Sequence, residues 1–290
     1  MNRSVFLLVI AAGLSAAASA SAQPRLSNGE VRTTALSGAL SRSVIEKTAG
    51  AGPAWVGYAV PIVAGDHQMC CWSGDSGGCC SGCRLENRSG AGPVVAAPPT
   101  GPIKLEGSTQ LFVLYRVENA AISKIRMFSE DCALDGGGLV LHWLTGVRAA
   151  DSVAVLGAFA DDATSRSVAD GALSALAMHA DPAALERLIT AARQGATTHA
   201  RGQALFWLAQ RAGDKAIGTI SDAIDKDPET DVKRRAVFAL SQLPKDEGVP
   251  RLIQLARTNG NPVVRKQAMF WLGQSNDPRA LEFFKEILFK

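Results

Sequence analysis

A pattern that returns every 32 residues constrains this chain more than any other feature in it. Ala204 to Gln210 (ALFWLAQ) comes back as Ala236 to Gln242 (AVFALSQ) and as Ala268 to Gln274 (AMFWLGQ), while Ala172 to Leu176 starts a degenerate earlier copy. A second track keeps the same offset. Its columns read Val153, Leu185, Ile217, Val249, Leu281; then Leu156, Leu188, Ile220, Leu252, Phe284; then Ala160, Ala192, Ile224, Ala256, Leu288. Apolar positions at i, i+3 and i+7 fall on one stripe of a helix, so each unit is read as two helices. Asp181-Pro182 and Asp277-Pro278 place a capping acceptor before a proline suited to the first turn, and Gly213-Asp214 and Lys245-Asp246 keep the aspartate. Asp227-Pro228 and Asn261-Pro262 break the chain between the two helices of a unit. One such pair is too short to bury its own stripe. The units must therefore stack, and about 4.5 of them fill residues 147–290 as an α-solenoid with one continuous core.

The openings of the second helices carry a resemblance. Asp231-Val232-Lys233-Arg234-Arg235-Ala236 and Pro262-Val263-Val264-Arg265-Lys266-Gln267-Ala268, with Thr198 to Ala204 as a looser copy, resemble HEAT-repeat proteins, and in particular the short bacterial HEAT-like type also found in phycobilin lyases. The resemblance is specific for fold. It implies a binding or scaffolding surface, and it leaves lyase activity as an analogy only.

Residues 1–22 have the grammar of a secretion signal: Arg3, an apolar core from Val5 to Ala18 too short to span a bilayer, and Ala20-Ser21-Ala22 before Gln23. The mature chain is expected to start at Gln23 and to be periplasmic or secreted. Gln23, not a cysteine, stands immediately after the cleavage point, so no lipid anchor is expected, and no later stretch is long enough for a membrane span. A net charge of +3 argues against nucleic acid, whose phosphates require a concentrated basic face. Lys233-Arg234-Arg235 is read instead as the solvated start of a helix.

Between signal and repeats the grammar changes. Val31, Leu36, Leu40, Val44 and Ile45 among polar residues suggest one amphipathic helix with its linker over 23–52. From Trp55 to Val63, from Leu111 to Val117 and from Ile122 to Ser129 the residues are aromatic and β-branched or alternate, and the last two runs read as a hairpin around Glu118-Asn119-Ala120. Leu139 to Leu144 adds a strand or leads into the repeats, and Ser89 to Pro102 reads as a surface loop. The whole is expected to be mainly α, with a smaller β-rich, cysteine-containing domain over 53–146.

All six cysteines, Cys70, Cys71, Cys79, Cys80, Cys83 and Cys132, fall in that smaller domain. In an exported chain they favour a disulfide framework, with Cys132 tying the hairpin end back to the cysteine loop. Two sharper readings compete. His67, Cys70, Cys71 and the Cys80-Ser81-Gly82-Cys83 spacing offer soft ligands to zinc, and Cys80 with Cys83 offers thiol exchange. A second Cys-x-x-Cys at matching spacing is missing, so no metal or cofactor is assigned. Catalytic patterns are equally scarce. His67, His142, His179 and His199 are scattered, with no His-Glu-x-x-His motif and no His-Glu pair of the kind that HEAT-like iron hydroxylases use. Gly136-Gly137-Gly138 lacks the lysine and helix of a phosphate loop.

The expectation is thus a non-enzymatic adaptor for a protein partner. In each second helix the residue two places after the core alanine is rotated by about 200° from it, and that residue is Phe206, Phe238 or Phe270. Gln203, Gln210, Arg235, Gln242, Gln267 and Gln274 share its face. Either these residues form an exposed aromatic and amide ladder, or each phenylalanine packs sideways between neighbouring units. In the last helix Leu281, Phe284 and Leu288 are expected to bury. Phe283 and Phe289 then either fold against loops or form an apolar edge for self-association or a partner.

Overall fold

The structure is a computed structural model that describes residues 23–65, 83–86, 108–212 and 214–289. The first part of the chain is built from β1 (Arg25–Ser27), β2 (Glu30–Ala35), α1 (Arg42–Ala49), β3 (Ala54–Pro61), β4 (Cys83–Arg84), β5 (Gln110–Glu118), β6 (Ala121–Ser129), β7 (Ala133–Asp135) and β8 (Val140–Thr145). Nine helices follow among the described residues: α2 (Ala149–Ala160), α3 (Arg166–Met178), α4 (Pro182–Gln194), α5 (Thr198–Ala212), α6 (Asp214–Lys226), α7 (Thr230–Ser241), α8 (Lys245–Thr258), α9 (Pro262–Gln274) and α10 (Pro278–Leu288). Among the described residues no helix is long and apolar enough to cross a membrane.

The main sheet runs β2-β8-β3-β5-β6, and a small one runs β1-β7-β4. The β5–β6 pair is the expected hairpin. Asn119 and Ala120 turn it with φ of 53° and 57°, the left-handed pair that a two-residue turn requires to match strand twist. The expected single helix over 25–50 is corrected: only Arg42–Ala49 is helical, and Val31 lies in β2, paired in parallel with Leu141 of β8. Its periodicity was produced by a strand followed by a short helix capped by Ser41, whose hydroxyl accepts from the Val44 amide. The central strands are covered on both faces. On one, the Tyr58 hydroxyl lies 2.8 Å from that of Tyr115 and 2.9 Å from Ser152 Oγ on α2. On the other, Trp55 Nε1 and Arg116 Nε both donate to Glu86 Oε1, at 2.8 and 2.5 Å.

The sheet is continuous with the helices. Gly171 of α3 lies against β6 so closely that a Cβ there would sit 2.5 Å from the Ile125 carbonyl oxygen. The chain leaving α3 pairs with the end of β3: Val63 N donates to Met178 O and Ala180 N to Pro61 O, both at 2.9 Å. One hydrophobic core therefore runs from Trp55 and Phe112 through Leu156, Leu188, Ile220 and Leu252 to Phe283.

Within the array the middle column of the first helices behaves as expected, with Leu156, Leu188, Ile220 and Leu252 buried. The outer column is looser, since Leu185 and Ile217 are only half-buried. One residue earlier, Ala184, Ala216, Gly248 and Ala280 are small and buried, and at Gly248 the first helix of one unit comes close to the second helix of the unit before it: a Cβ there would lie 2.7 Å from Leu240 O. The last helix departs most from expectation. Phe283 is buried beneath Arg257, whose guanidinium sits 5.0 Å from the ring centre, while Leu281 and Leu288 are exposed. α10 contacts both α8 and α9, with Phe283 under Arg257 of α8 and Phe284 half-buried against the core.

Candidate functional site

The second helices α3, α5, α7 and α9 lie side by side, and β6 stands next to α3 at the start of the row. Their core columns are Ala204 and Leu208, Ala236 and Leu240, Ala268 and Leu272, all buried. The phenylalanine column turns away from that core and is replaced by Ser174 in α3. Phe206 and Phe238 are half-buried and lie face to face, ring centres 5.9 Å apart and planes inclined by 2°. Phe238 then meets Trp271 at 4.9 Å, and Trp271 meets Phe270 edge-on at 4.9 Å. Behind them Trp207 is buried with its edge toward Phe206 at 5.2 Å.

The rings thus make one unbroken run across three helices. They both pack sideways between units and reach solvent, and their share of each differs along the run. Phe238 is held on both sides, whereas Phe270 is 53% exposed.

Trp271 is a member of the run that the phenylalanine column alone does not predict, although Phe-Trp-Leu repeats at 206–208 and 270–272. It joins the run through its contact with Phe238 of the preceding unit; the equivalent place in α7 is Ala239, which has no ring to offer. The Trp271 Nε1 proton is buried with no partner among the described residues. Beside it a cleft of about 230 Å3 opens between α7, α8 and α9, bordered by Gln242, Lys245, Trp271 and Gln274. Gln210, Gln242 and Gln274 are exposed, and Gln203 and Gln267 are half-buried, so amides flank the rings on both sides.

Charge on this face is neutralised locally. Arg235 does not stand free: its stem crosses Gly202, where a Cβ would lie 2.1 Å from Arg235 Cδ, and its Nε donates to Asp231 at 3.1 Å. Arg234 bonds the same carboxylate, and hydrogen bonds from Arg235 and then Arg234 hold the Asp231 carboxyl below its usual range. At the α3 side His199 Nε2 meets the Asp170 carboxylate at 2.7 Å. An aromatic run flanked by amides, with paired charges around it, suits a neutral apolar or backbone-presenting partner better than a polyanion.

The remaining singled-out residues do not converge on it. Cys83 and Cys132 are buried in the region of the small sheet, Cys83 opposite Leu134 in the ladder and Cys132 with its sulfur 3.5 Å from Ser129 Oγ. The β4–β7 pairing thus brings the end of the cysteine loop beside the segment that follows the hairpin. Cys70, Cys71, Cys79, Cys80 and His67 lie outside the described residues, as does Ser89 to Pro102. Among the described residues no group of three or more His, Cys, Asp or Glu side chains is placed to hold a metal ion. His179 is fully buried at the sheet–solenoid junction. Its Nδ1 accepts from the Asp181 amide at 3.1 Å, and burial pushes its pKa down to about 4.

Residues 217–289 match the family model for HEAT repeats. No curated protein matches the chain. Similar solved structures include human deoxyhypusine hydroxylase in complex with glycerol, at 18% identity and a TM-score of 0.35, covering 42% of this chain and 43% of that one. The complex of CpcE and CpcF of phycocyanin lyase from Nostoc sp. PCC7120 is 20% identical with a TM-score of 0.35, covering 49% of this chain and 89% of that one. The YibA protein of E. coli is 22% identical with a TM-score of 0.34, covering 48% and 54%. The chain spans less than half the length of the first of these.

Proposed function

We propose that the protein is an exported, non-enzymatic scaffold that holds a protein partner on the second-helix face of its HEAT array. The observation that carries this reading is the continuous contact from Phe206 through Phe238 and Trp271 to Phe270, flanked by exposed amides. Aromatic residues that are rigid on one side and open on the other are the usual anchors of protein interfaces. HEAT repeats over residues 217–289 are consistent with such a scaffold. In the same reading the signal at residues 1–22 is removed, and the cysteines form disulfides that staple the β-rich part in an oxidising compartment.

Phe270→Ser is the discriminating substitution, because Phe270 contributes little to the core and much to the surface. In cross-linking and mass spectrometry on exporting cells, recovery of the partner seen with the parent protein should fall about tenfold or more in the variant. Equal recovery from folded Phe270→Ser protein would remove this face from consideration. The export half is tested separately, by N-terminal sequencing for Gln23 and by alkylation of the mature protein before and after reduction.

A further inference from the structure

The link between α3 and α4 is fastened to the end of β3 by two backbone bonds, Val63 N to Met178 O and Ala180 N to Pro61 O, and His179 stands between them, opposite Ile62. Its ring is fully buried. Nδ1 accepts from the Asp181 amide at 3.1 Å, which leaves the neutral ring its proton on Nε2, and that N–H is buried with no partner among the described residues. A ring with one nitrogen committed as an acceptor and the other enclosed and idle suits the neutral form alone.

We infer that His179 is the catch of an acid-released latch, in which protonation of the ring detaches the Met178–Asp181 link from the end of β3 while the helices of the array stay folded. The second proton has to go on Nδ1, where it faces the Asp181 N–H donor to donor and cancels that bond. Two charged groups act on the ring. Asp181 at the start of α4 favours the added charge, but its carboxylate already accepts from the Ala183 amide as the cap of α4. Arg211 of α5, whose guanidinium donates to Leu176 O at 2.6 Å, opposes it. β3 contributes Pro61, Ile62 and Val63, none of which titrates. Ile62 N bonds Thr109 O in turn, and Glu130 is taken up by the Thr109 amide and hydroxyl. Water is what remains to solvate a charged ring, and the ring reaches it only if the link lifts and its two backbone bonds part. The helices on either side keep anchors of their own, since Gly171 of α3 lies against Ile125 of β6 and Ala184 and Leu188 of α4 are buried in the core. The opening is therefore local.

Hydrogen exchange followed by mass spectrometry on the full chain, corrected for the intrinsic pH dependence of exchange, tests this. Between pH 7 and pH 4 the protection of fragments holding Val63 and Ala180 should fall about a hundredfold, the ratio given by a ring pKa of about 4 when latched and about 6.5 when released, while fragments of α7 and α9 keep theirs. In His179→Asn the side-chain oxygen can replace Nδ1 as acceptor and cannot take up a proton, so protection of the same fragments should stay level over that range. The inference is overturned if the junction and α7 lose protection together, which means general acid unfolding, or if His179→Asn opens as the parent does. Should that variant fail to fold, the assigned ring-proton resonances of His179 in the parent decide: they should titrate in the same pH step that opens the junction, and titration with the junction closed, or opening with the ring still neutral, overturns the inference equally.

Discussion

Gly171 lies close against β6, and replacing it with alanine sets two effects of opposite sign against each other. In a helix interior alanine is favoured over glycine by about 1 kcal/mol. Against that gain, the new Cβ would stand 2.5 Å from Ile125 O, 2.8 Å from Ile125 Cβ and 3.0 Å from Ile125 C. Two of those three atoms are backbone, and β6 is fixed there by its ladder with β5, where Ile125 stands opposite Tyr115. The strand cannot retreat without breaking ladder bonds, so the overpacking cost belongs toward the upper end of about 1–3 kcal/mol. The net expectation is a loss of about 2 kcal/mol for Gly171→Ala. Gly218 in α6 supplies the control, because no heavy atom lies within 4 Å of a Cβ placed there. Gly218→Ala should gain up to about 1 kcal/mol from helix propensity alone. Equilibrium urea unfolding followed by far-ultraviolet circular dichroism measures both variants. If Gly171→Ala is as stable as the parent, or if the two variants shift in the same direction by the same amount, the packing of α3 on β6 has been misread.

Phe238→Ser should cost about 1–3 kcal/mol, because Phe238 stacks on Phe206 and on Trp271, while Phe270→Ser should stay within about 0.5 kcal/mol in thermal or urea unfolding. Both tyrosines of the chain are buried; desolvation pushes Tyr58 up to about 12 and Tyr115 well above its ordinary value. Folding favours their neutral forms, so this stability is intact below about pH 10 and is lost as pH rises toward 12, and absorbance at 295 nm should show no phenolate until the protein unfolds. His179 works in the other direction. Its folded pKa lies below its unfolded one, so its contribution is present above about pH 6.5 and is lost as pH falls toward 4, by about 3 kcal/mol at most. Unfolding free energies measured from pH 7 to 4 should fall less steeply in His179→Leu; an unchanged slope would assign the acid sensitivity to other groups.

Features that one unit or one turn encodes can be read from the chain locally. The 32-residue offset fixed the helix pairs, because a 3.6-residue stripe is a property of the segment that carries it, and the Asn119-Ala120 turn lay in the short link between two alternating runs. The outward rotation of Phe206, Phe238 and Phe270 was legible for the same reason. Tertiary structure decided what each of these residues meets. Val31 entered a strand because β8, more than a hundred residues away, lies parallel to it, and no local pattern carries that partner. Trp271 joined the aromatic run because it lies against Phe238 of the preceding unit, a fact about two units at once. Phe283 rather than Leu281 was buried in α10 because docking on α8 chose one side of a helix that is apolar on two. Most of all, the union of sheet and solenoid in one core rests on Gly171, Ser152 and the Pro61–Ala180 bond, contacts between segments that are each complete in sequence terms and that only their packing brings together.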